Sequence, residues 1–266
     1  MRVYLHLESE QLGDSIAWLP YLEEYRKTYN CEVFTNFFYA NLFSDAYPDI
    51  NFSIPSSFDK KINIGLYDRE IPLQQSASDA LELPYKEIKP RFNVSKLTKF
   101  SKKTITFSEF GSNYCKAWNN PTGWNKVIKY IHSIGYSPVA VSKEYTSLNN
   151  VIDCTGLGLF DVCNLIYSSD VYIGVSSGLA WLAWSLGVPV VMMSGHTKPY
   201  FEFQNNIVRL SVQKPMCFGC YNDNSLEVVW EDVWCPHHKN TVRQHECTYN
   251  ISASDVIGGI KLFLKK

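Results

Sequence analysis

At 266 residues, with 45% hydrophobic and 19% charged residues, the chain has the material for one large or two compact domains, each with its own core. A formal net charge of −1 gives no whole-molecule attraction to nucleic acid or anionic membrane. There is no charged-then-apolar secretory leader and no apolar run of the ~18–20 residues a membrane span needs, so a soluble, cytoplasmic protein is expected.

Residues 1–8 read as a strand. Residues 14–28 read as a helix, with Ile16, Leu19, Leu22 and Tyr25 along one side and Pro20 in its first turns. "CEVFT" predicts a strand, "NLFSDAYP" a helix and "INFSI" a strand. This alternation is the pattern of an α/β domain with a parallel sheet. Residues 72–92 predict a helix and an extended connection, and Pro90 with the polar run 93–103 marks a boundary near residue 95.

A second α/β series follows. "TITFSEF" (104–110) is a strand, and 120–135 a helix with Thr122 as its N-cap, an apolar face of Trp124, Val127, Ile128 and Ile131, and Gly135 as its stop. "SPVAVS" is a strand, 160–170 a helix, 171–175 a buried strand, 177–189 a helix ended by Gly187, and 189–194 a strand. The expected fold class is therefore α/β: Rossmann-like domains over 1–95 and 96–212 with a cleft between them, then a cysteine-rich finger over 213–250 and a C-terminal helix over 251–266. In such sheets ligands sit beyond the carboxyl ends of the strands.

Three stretches point into that cleft. In "VYIGVSSGLAW", Ser176, Ser177 and Gly178 open a helix after a buried strand, where free amides attract a phosphate and the hydroxyls add donors; the alternative is an ordinary N-cap. In "FGSNYCKAWNNPTGW", Lys116 would neutralise a diphosphate, Gly111 and Ser112 would offer small polar walls and Trp118 would stack on a ring; the alternative is a solvated lysine beside a packing tryptophan. Gly13-Asp14 stands where the first strand turns into the first helix, and Asp14 would serve either as a general base or as a helix cap.

Of eight cysteines, Cys217, Cys220, Cys235 and Cys247 crowd into the last quarter with the spacing C-x2-C-x14-C-x11-C. Four thiolates complete a tetrahedral site for zinc or iron with no open position, so the role is structural. His237, His238 and His245 lie nearby, as substitute ligands or as plain surface histidines.

The stretches "LGDSIAWLPYLEEYR", "PLQQSASDALEL", "KAWNNPTGWNKVIKYI", "IGVSSGLAWLAWSLGVPV", "SGHTKPYFEFQ" and the cysteine segment, in this order, resemble the autotransporter heptosyltransferases, relatives of the ADP-heptose transferases of glycosyltransferase family 9. The resemblance implies a GT-B fold, inverting transfer without a catalytic metal, and a nucleotide diphosphate sugar held by the C-terminal half. It implies Asp14 as catalytic base, Lys116 as the lysine holding the diphosphate, Ser176, Ser177 and Gly178 as the phosphate loop at a helix start, and iron rather than zinc on the four cysteines; Gly13, Gly111, Ser112 and Trp118 complete the expected donor site from the reading of the residues themselves. It also implies a short form, without the N-terminal domain that helps bind a protein acceptor, and a homo-oligomer. Ser176 and Trp181 stand where the lipopolysaccharide enzymes carry an acidic residue and a histidine.

The expected activity is sugar transfer, heptose-like, from ADP-heptose or a UDP-sugar to a hydroxyl, with protein O-glycosylation as the leading acceptor. The alternatives are a phage-type enzyme placing a pentose on hydroxymethylated cytosine in DNA, working in the host cytoplasm, and a non-catalytic nucleotide-sugar-binding assembly subunit.

Overall fold

The computed structural model describes residues 1–111, 113–229 and 233–264. In chain order the elements are β1 (Arg2–Leu7), α1 (Leu12–Tyr29), β2 (Glu32–Phe34), α2 (Ala40–Phe43), β3 (Ile50–Asn51), β4 (Lys60–Ile64) and α3 (Leu73–Ala80). The second series is β5 (Thr104–Phe107), α4 (Gly123–Ser133), β6 (Ser137–Ala140), β7 (Ile152–Asp153), α5 (Leu159–Tyr167), β8 (Val171–Val175), α6 (Gly178–Ser185), β9 (Val190–Met193) and β10 (Ile207–Leu210). α7 (Glu246–Tyr249) and α8 (Ala253–Leu264) close the chain.

Two wholly parallel sheets result, with strand orders β3-β2-β1-β4 and β10-β9-β8-β5-β6-β7. Both have the doubly wound order, which reverses direction beside the first strand of each half. The reversal points are the gaps between β1 and β4 and between β5 and β8. Every residue of β8 is buried, because helices cover both faces of a parallel sheet.

The two halves share a core. α1 packs on α6, and Trp18, Trp181, Trp184 and Phe203 belong to one buried cluster; Trp184 and Phe203 stack at 4.7 Å. Being covered on several sides, α1 is buried from Ser15 through Glu23 and not only along the expected stripe. It begins at Leu12, so Pro20 lies deeper than the first turns and the helix forgoes the hydrogen bond to the Ile16 carbonyl. Thr122 occupies the N-cap position of α4 without capping it through its side chain.

Candidate active site

The loops that leave β1, β4, β5 and β8 surround one cleft of about 1290 Å³, larger than the ~300–1,000 Å³ of ordinary small-ligand pockets. Gly13, Asp14, Gly111, Lys116, Ser176, Ser177 and Gly178 all line it, so the three stretches singled out in the sequence converge in space. Ser112 lies outside the described residues.

The two helix starts meet at glycines. A Cβ on Gly178 would stand 2.8 Å from Leu12 Cβ and 3.0 Å from the Gly13 nitrogen. Glycine at 178 therefore brings the amide ends of α1 and α6 to the same cleft. Asp14 does not cap α1: the N-cap is Gln11, and the Asp14 carboxylate accepts a hydrogen bond from Ser9 Oγ at 2.5 Å. Burial pushes the Asp14 carboxyl above the usual carboxylate range, opposed by the Ser9 hydrogen bond and by the charge of Lys116.

Lys116 closes a single 3₁₀ turn, Tyr114–Lys116, whose entry is set by Asn113: its side-chain oxygen accepts from the Cys115 amide at 3.0 Å and its carbonyl from the Lys116 amide at 3.1 Å. A Cβ on Gly111 would come within 3.2 Å of Lys116 Cδ, so that glycine makes room for the lysine stem. Burial lowers the Lys116 pKa, while Cys115, Asp14 and Glu202 favour the ammonium form. Its Nζ stands 6.0 Å from the centre of the Tyr221 ring.

Trp118 is a correction to the sequence reading. Its indole donates to the Ile251 carbonyl at 3.0 Å, packs edge-on to Trp124 at 5.2 Å and belongs to the core under the second sheet, away from the cleft. An indole with a buried N–H partner 133 residues along the chain serves packing, not ring stacking on a ligand. Ser176 also differs from expectation. Its hydroxyl donates to Glu202, as does Thr197 Oγ1 at 2.7 Å, and Glu202 forms a buried ion pair with Arg209 at 2.7 Å. The Ser176 proton is thus already placed. The Ser177 hydroxyl is buried beside the Tyr172 phenol, so its oxygen is turned to the core rather than to the cleft.

Ser9, Glu202, Tyr221 and Arg69 also line the cleft, and spacing rules did not reveal them. His196 underlies the same wall: its ring packs on Tyr221 at 5.1 Å, and burial, with the charges of Lys116 and Arg69, drives its pKa far below 6.5, so it is neutral.

Cys217, Cys220, Cys235 and Cys247 gather beside the cleft within one another's electrostatic reach. Burial first, then mutual repulsion, pushes the Cys220 thiol up to about 12 and raises Cys217 and Cys247 as well. Among the described residues the group whose ligand atoms lie within 4.8 Å of one another is Cys217, His238 and Glu246, not the four cysteines together. Glu246, however, already accepts from the Cys217 amide at 2.9 Å and from Arg243 Nη2 at 2.6 Å, which makes it a brace of the finger. Among the described residues no helix is long and apolar enough to cross a membrane.

No family model matches the chain. It is 30% identical to the autotransporter heptosyltransferase BAHTCr of Citrobacter rodentium, over 97% of this chain and 70% of that protein. It is likewise 30% identical to the autotransporter heptosyltransferase TibC of Escherichia coli, over 97% and 70%. The crystal structure of TibC, an iron-containing dodecameric glycosyltransferase, matches with a TM-score of 0.91 at 29% identity, covering 99% of this chain and 76% of that one, and TibC is also known in complex with ADP-D-β-D-heptose. The ADP-heptose lipopolysaccharide heptosyltransferase II of E. coli shares the fold, with a TM-score of 0.73 at 14% identity over 100% of this chain and 99% of that one.

Two facing doubly wound sheets with a shared cleft, and these relatives, define a GT-B glycosyltransferase. The chain belongs to the autotransporter heptosyltransferase family.

Proposed function

We propose that the chain transfers heptose from ADP-heptose to a serine hydroxyl of a protein acceptor, with Asp14 as general base and Lys116 as the cation that receives the leaving diphosphate. The observation that carries this reading is the meeting of Asp14 and Lys116 in one cleft, each electrostatically felt by the other, at the reversal points of both sheets. Asp14, raised by burial, takes the acceptor proton as the hydroxyl oxygen bonds to the anomeric carbon. The bond from that carbon to the phosphate oxygen breaks, and ADP leaves with the electron pair. Negative charge grows on the diphosphate in the transition state. Lys116 and the amides that open α6 stabilise it there, so they lower the barrier rather than merely hold the substrate.

ADP-heptose is favoured as donor by the TibC complex, and a protein acceptor by the relatives' family. The carboxylates of Glu8, Glu144 and Glu227 on the cleft walls repel a phosphate backbone, which weighs against DNA. Cys217, Cys220, Cys235 and Cys247 would hold one structural iron, as the iron-containing TibC suggests, with no part in the transfer itself. Assembly into a homo-oligomer follows the same relative.

The test is a thermal-shift panel of ADP- and UDP-sugars. A donor at a hundredfold excess over its Kd stabilises by about 2.7 kcal/mol. ADP-heptose is expected to raise the melting temperature and UDP-sugars to leave it unchanged; the reverse would reassign the donor.

A further inference from the structure

The loop after Cys220 does more than connect cysteines. Tyr221, Leu226, Glu227 and Val228 form part of the cleft wall, and Tyr221 follows a cysteine of the finger directly. Tyr221 packs on His196 and Phe201 of the second domain at 5.1 and 5.4 Å, and the Arg69 guanidinium lies 5.6 Å above its ring. Arg69 belongs to the other half of the molecule, on the loop that leaves β4.

Between residues 68–70 and 222–226 run six hydrogen bonds. Arg69 Nη2 donates to the Asp223 and Leu226 carbonyls at 2.8 and 2.6 Å. The Arg69 amide donates to Asn224 Oδ1 at 3.1 Å, and the Arg69 carbonyl accepts from Asn222 Nδ2. Asn224 donates from its side chain to Asp68 Oδ1 at 2.7 Å and from its amide to Glu70 Oε1 at 3.3 Å. Asn222, fully buried, accepts from the Lys198 amide at 2.6 Å and so ties the loop to the second domain as well.

We propose that residues 221–228 are a strap across the cleft, buckled to the first domain by Arg69 and anchored at its other end by the cysteine finger, so that finger integrity sets the spacing of the cleft walls. Arg69 is a positioning residue: its Nη2 alone donates to two carbonyls of the strap, the Asp223 and Leu226 oxygens. The strap itself does not depend on the identity of the donor; only the ADP measurement below rests on the reading given under Proposed function.

The test is hydrogen exchange read by mass spectrometry on the full chain, as purified and after treatment with a metal chelator. Wild type is compared with Arg69→Ala, Arg69→Lys and the surface variant Asn224→Ala, which loosens the same buckle with little risk to folding. Losing a charged buckle is expected to raise exchange about tenfold in both 65–70 and 221–228, segments far apart in sequence, with metal content and the other segments unchanged. Arg69→Lys, which keeps one charged nitrogen able to donate to both carbonyls, is expected to exchange less than Arg69→Ala. Chelation is expected to release 65–70 in wild type and to add nothing further there in Arg69→Ala, the non-additivity of two breaks in one linkage. The proposal is overturned if 65–70 stays protected while the chelated finger exchanges, or if 221–228 stays protected in Arg69→Ala and Asn224→Ala. ADP affinity is expected to fall in Arg69→Ala and Asn224→Ala alike, because both loosen a wall of the cleft, whereas a loss confined to Arg69→Ala would make Arg69 a nucleotide ligand instead. If wild type binds no ADP, the donor reading fails while the exchange comparison still decides the strap.

Discussion

Ser176 donates a hydrogen bond from its hydroxyl to Glu202, a carboxylate buried to 3% exposure and paired with Arg209. The bond links the loop that opens α6 to the segment before β10. Ser177 turns its hydroxyl to the Tyr172 phenol in the core instead. Ser176→Ala is therefore expected to act through the Glu202 network and lower stability, and Ser177→Ala to leave donor binding near the wild-type value; donor titration and melting of the two variants separate the roles.

Glu202 itself is a stability determinant. Glu202→Ala would leave Arg209 buried without its counter-charge, at an expected cost of about 3–5 kcal/mol. Glu202→Gln keeps the shape and the acceptor oxygen for Ser176, and is expected to cost less. Denaturant unfolding checks the order; equal losses in the two variants would contradict a role for the charge.

Two glycines should respond in opposite directions. Gly178→Ala places a methyl against Leu12 and the Gly13 nitrogen, where backbone must shift, so a loss of about 1–3 kcal/mol is expected together with lower turnover. Gly258, inside α8, has nothing within 4 Å of a built Cβ, so Gly258→Ala should stabilise by about 0.5–1 kcal/mol. Melting curves of both variants test the packing directly.

Much of this was legible in the sequence, for identifiable reasons. The apolar run Val171–Val175 announced a strand buried on both faces, and the Gly-Asp and Ser-Ser-Gly turns announced loops at strand ends. The short or half-exposed strands β4, β7 and β10 gave no such signal: Lys60–Ile64 is largely exposed, and β7 has two residues. Trp118 misled because an aromatic beside a loop lysine looks the same in sequence whether it faces a ligand or the core; its partner, the Ile251 carbonyl, comes from the far end of the chain. Glu202 and Arg69 were illegible for a related reason. Each gains its meaning from partners that only the tertiary fold supplies.

The pH dependence follows from Asp14. Its folded pKa lies above the ordinary 3.8, so ionising it costs folding energy at neutral pH. That cost is present above the folded pKa and vanishes below 3.8, where the group is protonated in both states. Asp14→Asn should therefore raise the melting temperature at neutral pH, with the gain fading as the solution is acidified; a gain that grows on acidification would reverse the sign of the argument.

The metal reading predicts about one iron or zinc per chain in protein purified without added metal. Cys220→Ser should lower that content and the melting temperature together. A folded, stable, metal-free protein would remove the finger as a metal site.

The most direct test of the central claim is Asp14→Ala, assayed for transfer from ADP-heptose and for donor binding side by side. Losing a positioned general base is expected to cut kcat by about 10²–10⁴-fold while the donor dissociation constant stays near the wild-type value. Turnover at the wild-type rate, or a loss explained wholly by weaker donor binding, would contradict Asp14 as the base.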